Sequence, residues 1–411
     1  MKVLHLSGAP RGTGSGYAAV LTHQALLESG IDSRLLFLND LPTNDPTIFR
    51  FADSSRIRTI ERFLVTTLER TPTWLYPRRK SQLFSTGLLG LKLRENPLLK
   101  WADLIHIHWP NHGLISLREI AKWGKPVVWT LRDMWAFTGG CHYAQNCDKY
   151  KTICGKCPAL GSARDKDLST IGFSSKLQHL ANSSIVWVAI STWMQARALE
   201  SAVLRGKTIN LIPSGVDCGS FKPTNQQQAR RDRGLPLAKK IILVGAANLT
   251  DEAKGFAYVI NSLRKLPANI CIATFGGGQI QSEQVNKTVF NFGYISNSKI
   301  LAELYNAADV FLGPSISEAF GKTFAEAQSC GLPAVCFADS GPADIVTHRT
   351  SGYLARMGDS DDLDAGIKYC LNARFNREEI SNRARQRFDI RVTAESYCHL
   401  YRSVLHESGK P

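Results

Sequence analysis

The stretch from Ala308 to Gly331 constrains the fold of this chain more than any other of its length. Ala308 to Leu312 is a short continuous apolar run, read as a buried strand. Pro314-Ser315-Ile316-Ser317-Glu318-Ala319-Phe320-Gly321 then turns the chain into a helix that closes near Ser329-Cys330-Gly331. Glu318 falls in the strand-to-helix loop; Glu326, eight residues on, falls inside the helix on the side of Thr323. The amides of Phe320, Gly321 and Lys322 are expected to point out of the helix start, where unpaired donors and the positive dipole end favour an anion. A carboxylate beside an anion site, with a second further along the helix, suits a ligand with a diphosphate centre and hydroxyls at both ends. A nucleotide-diphosphate sugar is such a ligand.

The same strand–loop–helix unit recurs. Residues 2–7 read as a strand, Gly8 to Gly16 as a glycine-rich loop, and Tyr17 to about Glu28 as a helix, a Rossmann-like opening. The spacing is not a clean G-x-G-x-x-G, since Gly12, Gly14 and Gly16 alternate, so a purely structural turn stands beside a phosphate loop as a reading. Further apolar strands are read at 103–109, 126–131, 185–190, 240–245, 270–275 and 335–337. With 411 residues, too many for one ordinary core, the chain suits two domains, and its strand–loop–helix units make the class α/β.

Glu318 to Glu326 resembles the E-x7-E signature of retaining glycosyltransferases of the family-4 type, and Gly331-Leu332-Pro333-Ala334-Val335 and Ser340-Gly341-Pro342-Ala343-Asp344 resemble its usual continuation. The resemblance implies the GT-B arrangement, two Rossmann-like domains facing each other across a cleft. It implies an N-terminal acceptor-side domain over 1–212 and a nucleotide-sugar-binding domain over 213–388, with a last segment, 389–411, crossing back to the first domain. Ile212-Pro213-Ser214-Gly215-Val216-Asp217 resembles the family's domain crossing, with Ser214 in place of Asn. Lys254-Gly255 matches the family's Lys-Gly, which makes Lys254 the cation for the donor diphosphate; the arginine that relatives carry upstream is absent, and Arg132 or Lys322 is the candidate to compensate. By the same resemblance Gly14 approaches the donor phosphates, and Tyr294 and Ile295 contact the base through their backbone. In the implied reaction Glu318 holds sugar hydroxyls and favours the oxocarbenium-like transition state, Glu326 accepts from ribose hydroxyls, and no metal cofactor is needed for catalysis.

Many relatives carry His-Asp after the strand at 126–131, with the histidine close to the reacting sugar; here it is Arg132-Asp133. Arginine stays charged and cannot serve as a base, so Arg132 is assigned with Glu318 to the catalytic set as an anion-holding group. His106 and His108 share one face of a strand, and strand-end packing or acceptor contact is preferred to metal ligation, with His108 and Trp109 on the acceptor side.

Within an insert at 141–158 stand Cys141, Cys147, Cys154 and Cys157. Four soft ligands this close favour a structural zinc knuckle, with free thiols or a disulfide pair left open by the spacing. The insert's Phe-Thr-Gly-Gly-Cys-His-Tyr resembles a polysaccharide-synthesis branch of the family, which implies a glycan or lipid-linked glycan as acceptor.

Residues 50–100 interleave Arg56, Arg58, Arg62, Arg70, Arg78, Arg79 and Lys80 with Phe63, Leu64, Trp74 and Leu75. Such a segment suits an anionic membrane surface, or else is a domain elaboration whose apolar residues are core. The net charge of +15 allows nucleic acid as well, but no zinc-finger, RNP or homeodomain pattern supports it. The start of the chain lacks the long apolar core of a secretory signal and no run approaches a membrane span. The expected place is cytoplasmic, peripheral on the inner face of a membrane. A non-catalytic subunit that binds nucleotide sugar or glycan for another transferase is the alternative function.

Overall fold

The computed structural model describes residues 1–39, 43–51 and 56–408; the side chains of Arg56 and Ile57, and residues 409–411 of the C-terminal segment, lie outside the described residues. The chain forms two compact units, one comprising Met1–Ile212 with the segment from Thr393 onward, the other Pro213–Val392.

The first unit holds seven strands: β1 (Lys2–Ser7), β2 (Asp32–Phe37), β3 (Ile48–Arg50), β4 (Leu104–Trp109), β5 (Val127–Leu131), β6 (Val186–Ala189) and β7 (Ile209–Leu211). They pair in parallel in the order β3-β2-β1-β4-β5-β6-β7. The second unit holds β8 (Lys240–Asn248), β9 (Ile270–Gly277), β10 (Val289–Asn291), β11 (Val310–Leu312), β12 (Ala334–Phe337) and β13 (Gly352–Ala355), parallel in the order β10-β9-β8-β11-β12-β13. Both units are doubly wound α/β sheets, the two-domain composition of the GT-B fold.

In each sheet the chain builds outward from one central strand, then crosses to its other side. The reversal falls between β1 and β4 in the first unit and between β8 and β11 in the second. Loops leaving the strand ends on the two sides of a reversal diverge and open a crevice, the general ligand position in open α/β sheets.

The central strands are apolar on both faces because helices cover both; β4 and β5 are buried along their whole length. The first helix runs Gly14–Glu28, not from Tyr17, because the Thr13 hydroxyl caps it by accepting from Gly16 N. Gly16 is thereby structural: a Cβ there would lie 2.0 Å from the carbonyl oxygen of Pro10. From Thr393 the helix Ile390–Glu407 belongs to the first unit, where Tyr397 and Tyr401 are buried.

Candidate functional site

In the second unit the loops after β8 and β11 meet at the reversal. Gly255 makes this possible: it sits at φ +73°, and a Cβ on it would lie 1.9 Å from the Pro314 carbonyl oxygen. Freed of that atom, the short turn Glu252–Lys254 docks on the segment after β11, and the Ala253 carbonyl accepts from Ile316 N at 2.9 Å. The result brings Lys254 Nζ to Glu318 Oε2 at 2.5 Å. Both side chains keep a window on solvent, 25% and 20% exposed. Burial works against the Lys254 ammonium, yet the Glu318 carboxylate and its hydrogen bond outweigh it and hold the lysine above its ordinary value.

Glu318 is fixed from the other side as well. Its carbonyl accepts from Gly341 N at 2.9 Å, and a Cβ on Gly341 would lie 2.5 Å from the backbone of Ala319. Gly321, at φ +89°, opens the helix Lys322–Ser329. Among the described residues the backbone N–H groups of Phe320 and Gly321 meet no acceptor, so donors remain at this helix start for an incoming anion.

Glu326 lies deeper, 3% exposed at its side chain, with Lys322 Nζ 3.0 Å from Oε1 and the Tyr305 hydroxyl donating to Oε2 at 3.0 Å. Lys322 is therefore engaged by Glu326 rather than held out for phosphate. Tyr305 was not foreseen. Burial, then the neighbouring carboxylate, pushes its phenol well above the ordinary value, so it donates throughout the accessible pH range. Tyr294 is 65% exposed just past β10, and among the described residues no bond joins Tyr294 or Ile295 to Lys254, Glu318 or Glu326.

In the first unit the β1 and β4 ends approach closely: Gly8 N donates to the Trp109 carbonyl at 2.6 Å, and a Cβ on Gly8 would lie 2.4 Å from the Asn111 oxygen. Gly14 stands in the first turn of its helix with open space where a Cβ would be. His108 is not a surface group. It is 1% exposed, and its Nδ1 lies 3.0 Å from Arg132 Nη2. Arginine only donates, so His108 Nδ1 accepts and the proton sits on Nε2, which donates to His5 Nδ1 at 2.9 Å. His106 is held separately by the hydroxyls of Tyr401 at 2.6 Å and Thr130 at 2.7 Å.

His5, His106 and His108 are the one group of three metal-type ligand atoms within 4.8 Å of one another among the described residues. Both nitrogens of His106 and of His108 are nevertheless spent on hydrogen bonds, only the Nε2 of His5 is left buried without a partner, and Arg132 beside them repels a cation. Burial pushes all three well below the ordinary histidine value, with Arg132 adding to it, so they stay neutral. Burial also lowers Arg132, against the pull of Tyr397 and Tyr401. At 9% exposed it is almost closed off from solvent.

At the ends of β4 and β5 a second cluster forms. Trp109 Nε1 donates to Asp133 Oδ2 at 2.7 Å, and His142 Nδ1 lies 2.6 Å from the same oxygen, with its Nε2 3.0 Å from the Ser85 hydroxyl. Burial opposes the Asp133 charge, but His142 and the surrounding donors hold the carboxylate below its usual range. His142, from the insert, thus joins Asp133 in a contact that sequence reasoning did not foresee.

Cys141, Cys147, Cys154 and Cys157 line one cavity of about 20 Å³, room for a single water-sized sphere. The donor set fits zinc, although no three of the sulfurs stand within 4.8 Å of one another among the described residues. All four are free thiols; burial pushes Cys141 and Cys154 up to about 12, so they keep their protons unless a metal displaces them. The buried Lys176 lies behind them, its Nζ donating to the carbonyls of Trp135 at 2.5 Å and Thr138 at 2.8 Å.

With this geometry in hand, comparison with known proteins is direct. Residues 14–220 match the family model Glycosyltransferase Family 4, and residues 225–387 match Glycosyl transferases group 1. A D-inositol 3-phosphate glycosyltransferase of Saccharomonospora viridis is 25% identical over 349 residues, 78% of this chain and 74% of that protein. Among solved structures, sucrose-phosphate synthase from Thermosynechococcus elongatus superposes with a TM-score of 0.70 at 17% identity, covering 99% of this chain and 100% of that one. Anabaena Alr3699/HepE in complex with UDP-glucose follows with a TM-score of 0.65 at 16% identity, covering 98% of this chain and 100% of that one.

Proposed function

Because this chain belongs to glycosyltransferase family 4 and has the family's GT-B fold, we propose that it is a retaining, metal-independent enzyme that moves a sugar from a nucleotide-diphosphate sugar to a glycan or lipid-linked glycan in cell-surface polysaccharide synthesis. The observation that carries the reading is the Lys254–Glu318 pair at the β8/β11 reversal, flanked by the open N–H groups of Phe320 and Gly321. That HepE, similar in fold, is found in complex with UDP-glucose supports a nucleotide-sugar donor, UDP- or GDP-linked, for this chain.

In the proposed step the donor diphosphate takes Lys254 and the helix-start amides, which stabilise the charge that grows as the sugar C1–O bond breaks. Glu318, released from part of its pairing, holds sugar hydroxyls and favours positive charge at C1. The acceptor oxygen bonds to C1 on the face the phosphate leaves, and its proton passes to the departing phosphate oxygen. Nucleoside diphosphate and glycoside are the products, and no histidine base is required. Glu326, with lone pairs left after its bonds to Tyr305 and Lys322, receives the ribose hydroxyls. Arg132 and the Trp109–Asp133–His142 cluster serve the acceptor side.

A panel of UDP and GDP sugars is expected to raise the melting temperature selectively, since a bound donor stabilises the fold by mass action. The matching donor is expected to yield a product with the donor's anomeric configuration by NMR. An inverted product overturns the retaining step, and donor binding without hydrolysis or transfer to any glycan turns the reading toward a non-catalytic partner subunit.

The four cysteines of the insert are proposed to hold a structural zinc. Purified protein is expected to carry about one zinc per chain, lost when Cys154 and Cys157 are replaced by serine. Substoichiometric metal with all four thiols titrating freely overturns that assignment.

A further inference from the structure

Helix Arg56–Arg70 turns its apolar side to water. Ile60, Phe63, Leu64 and Leu68, at i, i+3, i+4 and i+8, form one stripe and are 60%, 65%, 52% and 53% exposed. The acid Glu69 instead faces inward, 4% exposed, its carboxylate accepting from the Thr86 hydroxyl at 2.5 Å and Gly87 N at 2.7 Å. The inward face is therefore fixed by hydrogen bonds, and the outward stripe is not core that has slipped. The following turn, Thr71–Leu75, extends the stripe with Trp74 at 61% and Leu75 at 80% exposed. Of seventeen exposed large apolar residues among those described, eight lie between 60 and 89, which makes a patch and not scatter.

The charges around it select the occupant. Residues 70–89 contain Arg70, Arg78, Arg79 and Lys80, all exposed, and no Asp or Glu. Lysine and unopposed positive charge are poor company for a protein interface core, whereas an aromatic and aliphatic stripe rimmed by cations matches the headgroup boundary of an anionic bilayer. Among the described residues no helix is long and apolar enough to cross a membrane, so the contact lies on the surface.

We propose that the face built from helix Arg56–Arg70 and the turn Thr71–Leu75 docks on an anionic lipid bilayer, Phe63, Leu64, Trp74 and Leu75 entering the headgroup boundary and the 70–80 cations meeting lipid phosphates. The proposal deepens the reading of a lipid-linked acceptor and rests on it for its purpose, though not for its test.

The test is co-sedimentation of the full chain with vesicles of phosphatidylglycerol and phosphatidylcholine, against phosphatidylcholine alone, at low and high salt. Binding is expected to need phosphatidylglycerol, to weaken with salt, and to fall about fivefold for each of Arg78, Arg79 and Lys80 changed to alanine. Phe63→Ser with Leu64→Ser, and separately Trp74→Ser with Leu75→Ser, are each expected to lose tenfold or more in vesicle affinity with unchanged donor turnover in vesicle-free solution. Equal binding to both vesicle types, or binding indifferent to both double variants, overturns the proposal. So does a dimer in vesicle-free solution that Phe63→Ser with Leu64→Ser converts to monomer, since the stripe then covers a second copy. Vesicle binding needs no turnover, so its failure with donor turnover intact sinks this inference alone, and the converse sinks only the transferase reading.

Discussion

Glu318→Gln is expected to lower kcat/KM for sugar transfer by roughly a thousandfold, in the range seen when one preorganised electrostatic group is removed from a reacting centre. The substitution keeps the shape and removes the charge. The glutamine oxygen can still accept from Lys254, so the fold is expected to hold while the charge is lost. Lys254→Met acts differently. It takes away the cation for the diphosphate, so the donor KM is expected to rise with kcat falling as well. The two residues touch, and the double variant is expected to be far less impaired than the product of the single effects. Steady-state kinetics on the three proteins decides it. A Glu318→Ala protein with near-native kcat would remove the carboxylate from the mechanism. Glu326→Ala, whose partners are Lys322 and Tyr305 and not the reacting carbon, is expected mainly to weaken donor binding.

The second large effect comes from a residue that touches no ligand. Gly255→Ala places a Cβ at 1.9 Å from the Pro314 oxygen on a residue at φ +73°. The strain alone is about 1–3 kcal/mol, and relief requires the Lys254 turn to lift off the Ile316 segment. Lys254 Nζ then leaves Glu318, and a misplacement of about 1 Å in such a group costs on the order of a hundredfold in rate. Circular dichroism melts and donor kinetics should both register it. Gly14→Ala is the control: nothing lies within 4 Å of its Cβ position and it stands in a helix, so its melting temperature is expected to hold or rise slightly. An unchanged rate for Gly255→Ala would mean that the turn does not position Lys254.

What could be read from the residues follows from the range of the interactions. The β11-loop-helix unit, Glu318 in the loop and Glu326 in the helix were legible because periodicity and glycine punctuation act within about ten residues. Lys254 was found through its Lys-Gly neighbourhood, but its bond to Glu318, 64 positions away, depends on β8 lying beside β11. Tyr305 was hidden because an amphipathic helix can turn any aromatic inward; only the crossing of that helix over 322–329 shows its hydroxyl on Glu326. His142 was read as part of a cysteine cluster, and its partner Asp133 became visible only once the insert folded back on the β5 end. His108, placed on the acceptor side from strand position, turned out to sit behind Arg132, because a six-residue strand buried along its whole length leaves its penultimate residue inside.

The last long helix carries a consequence for synthesis. Tyr401 and Tyr397 bond His106 and Thr130, partners 295 and 267 positions earlier in the chain. A nascent chain leaving the ribosome exposes the first sheet well before those phenols exist, and N-terminal domains usually fold first. Here the first unit cannot close its polar interior early: His106 and Thr130 pair with each other, but His106 Nδ1 waits for the Tyr401 hydroxyl, at about 1–3 kcal/mol while it lacks a partner. The half that begins first is finished last, and a chain released between Val392 and Tyr401 holds all of the second unit but an incomplete first one.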